Sequence, residues 1–335
     1  MTYRVAIIGA GKLGATHLRH WSRIPNAEVV SLLDTRVESA HGLSTDGTGT
    51  PAVFDDFGDL IAQSMPDIVD ICTPTSSHRD YVERAAFAGL AVFVEKPLAH
   101  TLADCEAIVS AIEKTGVPLM AGHVVRFFPA YARAREIVQS GGVGTPAAIR
   151  MSRLAGFPSR GQGAGWYANA AESGGVVLDA MIHDFDWLRW CFGPVRHVYA
   201  RGLIDDHACA GKLDYALVTL RLECGAIAHV EGSWAHTGPL VTSFEVAGDA
   251  GLVEHDSRKE TVFGLAAREN GAAAVQTASP LAADDDPYFL ELAAFVSALS
   301  EGAAPPVTVS DAAAAVSISL AALESIRTNK AVAPK

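Results

Sequence analysis

The sequence predicts two domains, an α/β domain with a doubly wound parallel sheet followed by an α+β domain with an open-faced, mainly antiparallel sheet. Length is the first observation, because 335 residues exceed one ordinary hydrophobic core. Up to about Gly122, short apolar runs alternate with amphipathic stretches, as in βαβ units. After that point strand-like alternation dominates. We therefore predict domains at 1–122 and 123–335.

The first domain is predicted to contain five buried strands with helices between them. The strands are uniformly apolar, which is expected where helices cover both faces of a sheet. The predicted strands are Arg4–Ile8, Glu28–Leu33, Ile68–Cys72, Ala91–Val94 and Pro118–Ala121. The predicted helices are Lys12–Arg23, Phe57–Gln63, His78–Ala88 and Leu102–Thr115.

The second domain is predicted to be rich in strands with few helices. A helical pattern covers Ala130–Gln139, and one further helix, Val177–Cys191, interrupts the strand-like runs between residues 147 and 253. Asp286 is a predicted N-cap before Pro287 at the first helical position, which starts a helix that ends near residue 300. Ser310 is the predicted N-cap of a last helix, Asp311–Arg327.

Composition excludes several classes of protein. The formal net charge of −12 disfavours nonspecific binding to nucleic acid or to an anionic membrane. Five scattered cysteines, with no Cys-x-x-Cys pair, argue against a disulfide framework or a structural zinc site. The chain enters a strand pattern at once, so we expect no signal peptide, and its longest weakly polar stretch, Ala312–Leu323, is shorter than the ~20 residues of a membrane span. We expect a soluble, cytoplasmic protein.

A glycine fingerprint follows the first predicted strand and opens the first helix. In Gly9-Ala10-Gly11-Lys12-Leu13-Gly14, the first glycine permits a tight turn, the second lets the backbone approach a pyrophosphate, and the third lets the helix pack on the strand. The helix N-terminus offers free N–H groups to phosphates. A glycine-rich turn without a ligand is the alternative.

An acidic residue after the second strand favours dinucleotide binding. Asp34 stands at the strand end, where its carboxylate would accept hydrogen bonds from the adenosine ribose. The same charge would repel a 2′-phosphate and favour NAD over NADP. Arg36 leaves NADP open, because its guanidinium could pair with that phosphate.

Glu95-Lys96-Pro97 follows the apolar strand Ala91–Val94. These residues therefore lie at the carboxyl end of the parallel sheet, where such folds bind ligands. Lys96 is either a surface charge at a strand end or a group that handles protons in the ligand crevice.

A carboxylate and an imidazole stand four residues apart in the second domain. On a helix Asp179 and His183 share a face, and Asp186 falls on the same side. A carboxylate one turn from an imidazole orients it for general base catalysis. The alternative is a capping aspartate beside a surface histidine. A metal site is disfavoured because Asp184 would point away from His183.

Together these elements resemble the glucose–fructose oxidoreductase / inositol dehydrogenase / rhizopine catabolism family, Gfo/Idh/MocA. The resemblance covers nearly the whole chain, and the Glu-Lys-Pro and Asp-x-x-x-His elements are more specific than the glycine fingerprint. The matching segments are Gly9–Gly14, Asp34, Cys72–Pro74 with His78, Glu95–Pro97, Gly122-His123 with Arg126-Phe127 and Pro129, Asp179–Asp186, and Glu324–Arg327 with Asn329-Lys330.

The resemblance implies a Rossmann domain, NAD as cofactor and a site for a polyol or sugar. It implies that Lys96 contacts the reacting oxygen, that His183 takes the proton and that Asp179 supports both. The residues assigned to the cofactor are Gly9, Gly11, Lys12, Leu13, Gly14, Asp34, Thr35, Arg36, Thr73, Pro74, His78, Glu95 and Lys96. The residues assigned to the substrate are Lys96, Arg126, Trp166, Asp179, His183 and Asp186.

The resemblance also implies a homodimer or homotetramer that buries the open sheet. We predict no metal site. Met181 stands where many family members have glycine, and we expect it to narrow the substrate pocket.

The predicted activity is the reversible oxidation of a secondary alcohol on a sugar, sugar derivative or cyclitol. Two alternatives stay open. One is an enzyme of the same fold with other chemistry, such as imine reduction or redox-assisted glycoside cleavage. The other is a nonenzymatic regulator that senses a dinucleotide, although such a sensor would not need Lys96, Asp179 and His183.

Overall fold

The computed structural model describes residues 2–41, 43, 50–158, 173–203, 215–259, 263–269, 272–278 and 286–335. The chain divides into one unit of Met1–Val124 with Asp285–Ala313 and another of Val125–Asp284 with Ala314–Lys335. The division predicted from sequence differs, because it gave every residue after 122 to the second domain. The later segment joins the first unit through packing, as Phe295 meets Phe93 edge-on with ring centroids 5.9 Å apart. Local sequence patterns do not reveal such a contact.

The first unit contains a six-stranded parallel sheet in the order β3-β2-β1-β4-β5-β6. This confirms the doubly wound sheet, although the sequence missed the short edge strand β3 and the short helix α2. The strands are β1 Tyr3–Ile8, β2 Ala27–Leu33, β3 Ala52–Phe54, β4 Ile68–Ile71, β5 Ala91–Glu95 and β6 Leu119–Gly122. The helices are α1 Lys12–Trp21, α2 Val37–His41, α3 Phe57–Ser64, α4 His78–Phe87 and α5 Leu102–Thr115.

Helix α5 shows why its predicted bounds agree with the observed ones. The Thr101 hydroxyl accepts the Asp104 N–H at its start, and Gly116, with φ 70°, ends it in the left-handed conformation. Both signals are local in sequence, so they could be read without the fold.

The second unit contains an eight-stranded sheet in the order β14-β13-β12-β11-β7-β10-β9-β8. Among the described strands of this second sheet only β7 and β10 pair in parallel, so the predicted mainly antiparallel sheet is confirmed. The strands are β7 Pro146–Leu154, β8 Val195–Leu203, β9 Tyr215–Leu222, β10 Ile227–Ser233, β11 Val241–Gly248, β12 Gly251–Asp256, β13 Phe263–Glu269 and β14 Ala272–Ala278. The helices are α6 Pro129–Gln139, α7 Gly175–Asp179 and α8 Ile182–Phe192.

Aromatic side chains pack helices α6 and α8 onto this sheet. Trp187 stacks on Phe244 of β11 with ring centroids 5.2 Å apart, and Tyr131 meets both rings edge-on. All three are fully or almost fully buried. The face of the sheet under α8 is therefore a core.

The single helix predicted over Val177–Cys191 is wrong, because the structure has two helices there. Helix α7 ends at Asp179 and α8 begins at Ile182. Both Ala180 and Met181 donate their N–H groups to the carbonyl of Val176, so the regular i→i−4 pattern is lost. The apolar periodicity continues across the break, and for that reason the sequence did not show it.

The last two helices are α9 Pro287–Glu301 and α10 Val309–Thr328. Asp286 caps α9 as predicted, since its side chain accepts the Tyr288 N–H. The predicted Ser310 cap is wrong, because the Thr308 hydroxyl accepts the Asp311 N–H at 3.2 Å.

Helix α10 is also longer than its predicted apolar stretch. It has 20 residues, and an 18-residue window within it has a mean hydropathy of 1.4, so among the described residues it is the one helix long and apolar enough to cross a membrane. Half of that apolar window is buried inside the protein.

Candidate active site

The glycine loop between β1 and α1 has the geometry that its sequence predicts. Gly9 adopts φ 99°, and a Cβ there would lie 2.8 Å from the Cys72 carbonyl oxygen. A Cβ on Gly14 would lie 1.9 Å from the Gly9 oxygen, so this glycine permits the close contact between helix and strand. At Gly11 no described atom lies within 4 Å of a Cβ, so the backbone there is accessible to a phosphate. The loop fits a dinucleotide.

Asp34 follows β2 directly and joins two loops at the carboxyl edge of the sheet. Its Oδ2 accepts the Ala10 N–H at 2.9 Å, and its Oδ1 accepts the Arg36 N–H at 2.8 Å. The carboxylate therefore orders the glycine loop as well as the turn after β2. Its predicted bond to the adenosine ribose stays a prediction.

His78 connects the two other loops at this edge. It is buried, with Nδ1 2.9 Å from the Pro97 carbonyl oxygen and Nε2 3.0 Å from the Thr73 carbonyl oxygen. Burial lowers the pKa of His78, and the two carbonyl oxygens only partly offset this by favouring the protonated ring. His78 contacts the carbonyl groups of both loops and thereby holds the loop of Lys96-Pro97 beside Thr73. Its contact with the cofactor stays a prediction.

Glu95, the last residue of β5, is buried beneath Lys96 and is 3% exposed. Its Oε2 accepts the Lys96 N–H at 3.1 Å. The carboxylate packs on β6, where a Cβ on Gly122 would lie 2.8 Å from Oε1. The observed contacts of Glu95 thus lie inside the domain, whereas the sequence assigned it to the cofactor; that assignment stays a prediction.

Sequence reasoning missed a buried polar group next to Glu95. His17 of α1 has Nδ1 2.9 Å from Asp70 Oδ2 and Nε2 3.2 Å from Glu95 Oε1. Trp21 donates its Nε1–H to the same Asp70 oxygen at 2.7 Å. Burial alone would lower the pKa of His17, but Asp70 and Cys72 outweigh it and raise that pKa well above its ordinary value. One signal was present, since Asp70 is a charged residue in the apolar strand Ile68–Ile71.

Among the residues that the structure describes, two groups of side chains have donor atoms close enough together to hold a metal ion, although no metal site was predicted from sequence. They are His17 with Asp70 and Cys72, and His17 with Glu95 and Glu291. Within each group, the donor atoms lie within 4.8 Å of one another.

In the second unit, the break between α7 and α8 separates the predicted acid–base pair. Asp179 is the last residue of α7 and His183 the second residue of α8, and both are half-buried. The spacing had predicted that they lie one turn apart on a single regular helix. The break shows that they do not. Their joint action with Lys96 of the first unit stays a prediction.

Met181 turns into the core of the second unit. It is fully buried, and a Cβ on Gly232 of β10 would lie 2.3 Å from its Cγ. Glycine at 232 therefore provides the space that the larger side chain at 181 occupies. Met181 thus packs on the sheet, and the expected narrowing of the substrate pocket stays a prediction.

Two buried arginine–aspartate pairs anchor α8. Arg126 donates Nε–H to Asp186 Oδ2 at 2.7 Å and Nη2–H to Oδ1 at 2.6 Å. Arg153 pairs in the same two-bonded way with Asp184. Arg126 and Asp186 were assigned to the substrate from sequence. In the structure the Arg126 guanidinium and the Asp186 carboxylate form an ion pair with each other, and any contact of either with substrate stays a prediction.

Trp166, also assigned to the substrate, lies outside the described residues.

Two sequence profiles match the chain in the same order as its two units. One, described as an oxidoreductase family with an NAD-binding Rossmann fold, matches residues 3–123. The other, described as a GFO/IDH/MocA C-terminal domain, matches residues 131–254.

Curated relatives and solved structures agree with these matches. The chain is 30% identical to the scyllo-inositol 2-dehydrogenase (NAD(+)) of Bacillus subtilis, over 97% of this chain and 94% of that protein. It is 29% identical to the myo-inositol 2-dehydrogenase of Thermotoga maritima, over 98% of each. An Agrobacterium radiobacter oxidoreductase, solved with NAD+, L-tartaric acid and magnesium, shares the fold with a TM-score of 0.87 at 23% identity, over 99% of this chain and 98% of that one.

Proposed function

Since the chain belongs to the Gfo/Idh/MocA family and is an NAD-dependent oxidoreductase, we propose that it oxidises a secondary alcohol of a cyclitol, a sugar or a sugar derivative. The observation that carries this proposal is the full-length similarity to two inositol dehydrogenases, together with the dinucleotide loop and Lys96 at one edge of the parallel sheet. The net negative charge of the chain does not repel a polyol, because a polyol is uncharged.

The residues at the edge of the sheet fit a dinucleotide. Gly9, Gly11 and Gly14 give the pyrophosphate access to backbone N–H groups at the start of α1, and Asp34 stands at the end of β2. Bound NAD+ supplies the hydride acceptor for alcohol oxidation.

The acid–base chemistry falls to three residues of this chain. His183 removes the hydroxyl proton of the substrate, and the carboxylate of Asp179 orients its ring. The Lys96 ammonium stabilises the negative charge that develops on the substrate oxygen. His183 lies at the start of α8, whose position is held by the buried pairs of Asp184 and Asp186.

A panel of polyols tests the proposal. Purified protein with NAD+ should form NADH, followed by its absorbance, with at least one of myo-inositol, scyllo-inositol and a set of aldoses. A protein that binds NAD+ tightly but oxidises no compound in the panel would contradict it. The Lys96→Ala variant is the control for contaminating dehydrogenases.

We also propose that the second sheet forms a homo-oligomer. Along β8–β10, buried residues alternate with more exposed ones, so the two faces of the sheet differ. The more exposed face carries large apolar side chains, among them Tyr199, Leu217 and Ile227, which are 39–44% exposed. Light scattering after size exclusion should give a dimer or tetramer. Leu217→Lys with Ile227→Lys should give monomers, and unchanged mass would argue against this face.

A further inference from the structure

Beneath the loop of Lys96, the first unit buries three carboxyl groups around one basic group. Asp70 of β4 and Glu291 of α9 are fully buried, and Glu95 of β5 is 3% exposed. His17 of α1 is fully buried among them. Three carboxylate ions opposite a single imidazolium would leave two uncompensated negative charges in a medium of low dielectric, which is strongly unfavourable.

Asp70 already has the partners that an ionised carboxylate needs. His17 Nδ1 and Trp21 Nε1 both bind its Oδ2, at 2.9 and 2.7 Å. The Cys72 thiol lies 3.5 Å from Oδ1 and acts as a donor, because burial raises the pKa of this thiol far above neutrality. Asp70 and His17 therefore form a compensated ion pair.

Glu291 has the opposite environment. Neither of its carboxyl oxygens has a hydrogen-bond partner among the described residues, and neither is exposed. One of them lies within 4.8 Å of both Glu95 and His17. Burial, and then the charge of Glu95, raise the pKa of Glu291 well above its ordinary value. The other ionisable groups around it are Asp70, and Asp286 and Tyr288 on its own helix.

We propose that Glu291 is protonated at neutral pH and that, with the His17 imidazolium, it holds Glu95 in the position from which Glu95 binds the Lys96 N–H. His17 and Glu291 are thus positioning residues for Lys96. The role given to Lys96 rests on the proposed function, whereas the proton on Glu291 does not.

The geometry around Glu95 explains how α1 and α9 influence Lys96. The carboxylate lies on the bare Cα of Gly122, so on that side only the backbone confines it. On another side its Oε1 faces His17 Nε2 at 3.2 Å, and its Oε2 binds the Lys96 N–H at 3.1 Å. A charged Glu291 would repel Glu95 and move it, whereas a neutral acid adds a donor and no repulsion.

Infrared difference spectroscopy tests the proton directly. At pH 7 the wild-type protein should show the C=O stretch of a buried carboxylic acid, and Glu291→Gln should lack it. If the wild-type protein shows no such band, or if Glu291→Gln keeps it, the proposal is overturned. Metal analysis of the purified protein is the second readout, since one equivalent of a divalent ion that disappears in Glu291→Gln would mean that a cation, and not a proton, compensates these carboxyls.

Stability against pH provides a test independent of activity. A raised pKa in the folded state gives stability that is fully present below the unfolded pKa, near ~4.3, and is lost as pH rises through the folded pKa. Glutamine removes this loss. The Tm of Glu291→Gln relative to wild type should therefore increase from pH 5 to pH 8. A constant difference would overturn the proposal.

Kinetics test the positioning role. Glu291→Gln should keep kcat within about twofold, whereas Glu291→Ala and His17→Phe should lower kcat about tenfold or more with little change in the Kd of NAD+. Val296→Ala, a buried truncation on the same helix without a titratable group, is the matched control and should keep kcat. If Lys96→Ala lowers kcat but Glu291→Ala and His17→Phe do not, the positioning role is wrong. If Lys96→Ala does not change kcat, the proposed role of Lys96 in the reaction is wrong. The infrared result then still shows whether Glu291 is protonated.

Discussion

The Asp34 carboxylate accepts the Ala10 N–H at 2.9 Å, and this bond ties the end of β2 to the middle of the glycine loop. The same carboxylate accepts the Arg36 N–H. One side chain therefore orders the loop expected to receive the pyrophosphate and places a negative charge where the adenosine ribose is expected.

We expect NAD+ to bind more tightly than NADP+, because the Asp34 charge repels a 2′-phosphate. Titration of both cofactors measures the two Kd values. Asp34→Ser should weaken NAD+ binding and reduce the preference, while Arg36→Ala should leave NAD+ binding unchanged. Equal or tighter binding of NADP+ by the wild type would contradict the prediction and indicate that Arg36 decides it.

Two glycines of the loop should respond to alanine in opposite ways. Gly14→Ala places a Cβ 1.9 Å from a backbone oxygen and should cost at least ~3 kcal/mol of unfolding free energy. Gly11→Ala meets no described atom within 4 Å and should change stability by about 1 kcal/mol or less, yet it should abolish tight NAD+ binding. Denaturant unfolding and cofactor titration separate the effects. A stable Gly11→Ala variant with wild-type affinity would exclude this loop as the phosphate site.

Lys96→Ala should lower kcat by ~10²–10³ and leave cofactor binding largely intact, because the ammonium acts on charge that develops in the transition state. Fluorescence titration of NADH checks the binding. Turnover close to wild type would remove Lys96 from the mechanism.

The kcat/KM for alcohol oxidation should fall towards acid pH, because a protonated His183 cannot accept the substrate proton. Ketone reduction needs the protonated ring and should lose rate at alkaline pH instead. His183→Ala should remove the acid limb together with most of the rate. A flat oxidation profile, with chemistry shown to limit the rate, would exclude His183 as the base.

Asp186→Leu should cost about 3–5 kcal/mol of unfolding free energy, because it leaves the Arg126 guanidinium buried without its carboxylate. Arg126→Met combined with Asp186→Leu should recover most of this loss. Arg133→Met, which breaks an exposed pair with Glu136, is the control and should cost less than about 1 kcal/mol. If the double variant is stable but its substrate KM rises more than tenfold, the predicted substrate contact gains support.

The sequence by itself determined the parallel sheet, the glycine loop and the ends of helices such as α5. Each of these depends on neighbours within a few residues: apolar runs, caps, and glycines where a Cβ has no room. The second, mainly antiparallel sheet was also predictable, because alternation along each strand shows which face is buried.

Only the tertiary structure decided which polar groups share the core. His17, Asp70, Glu95 and Glu291 come from α1, β4, β5 and α9, and their burial together follows from the packing of α9 within the first unit. Likewise, Arg126 meets Asp186, and Gly232 makes room for Met181, only because distant segments pack against each other. Periodicity reports which face of an element is buried; it does not report which other element covers that face.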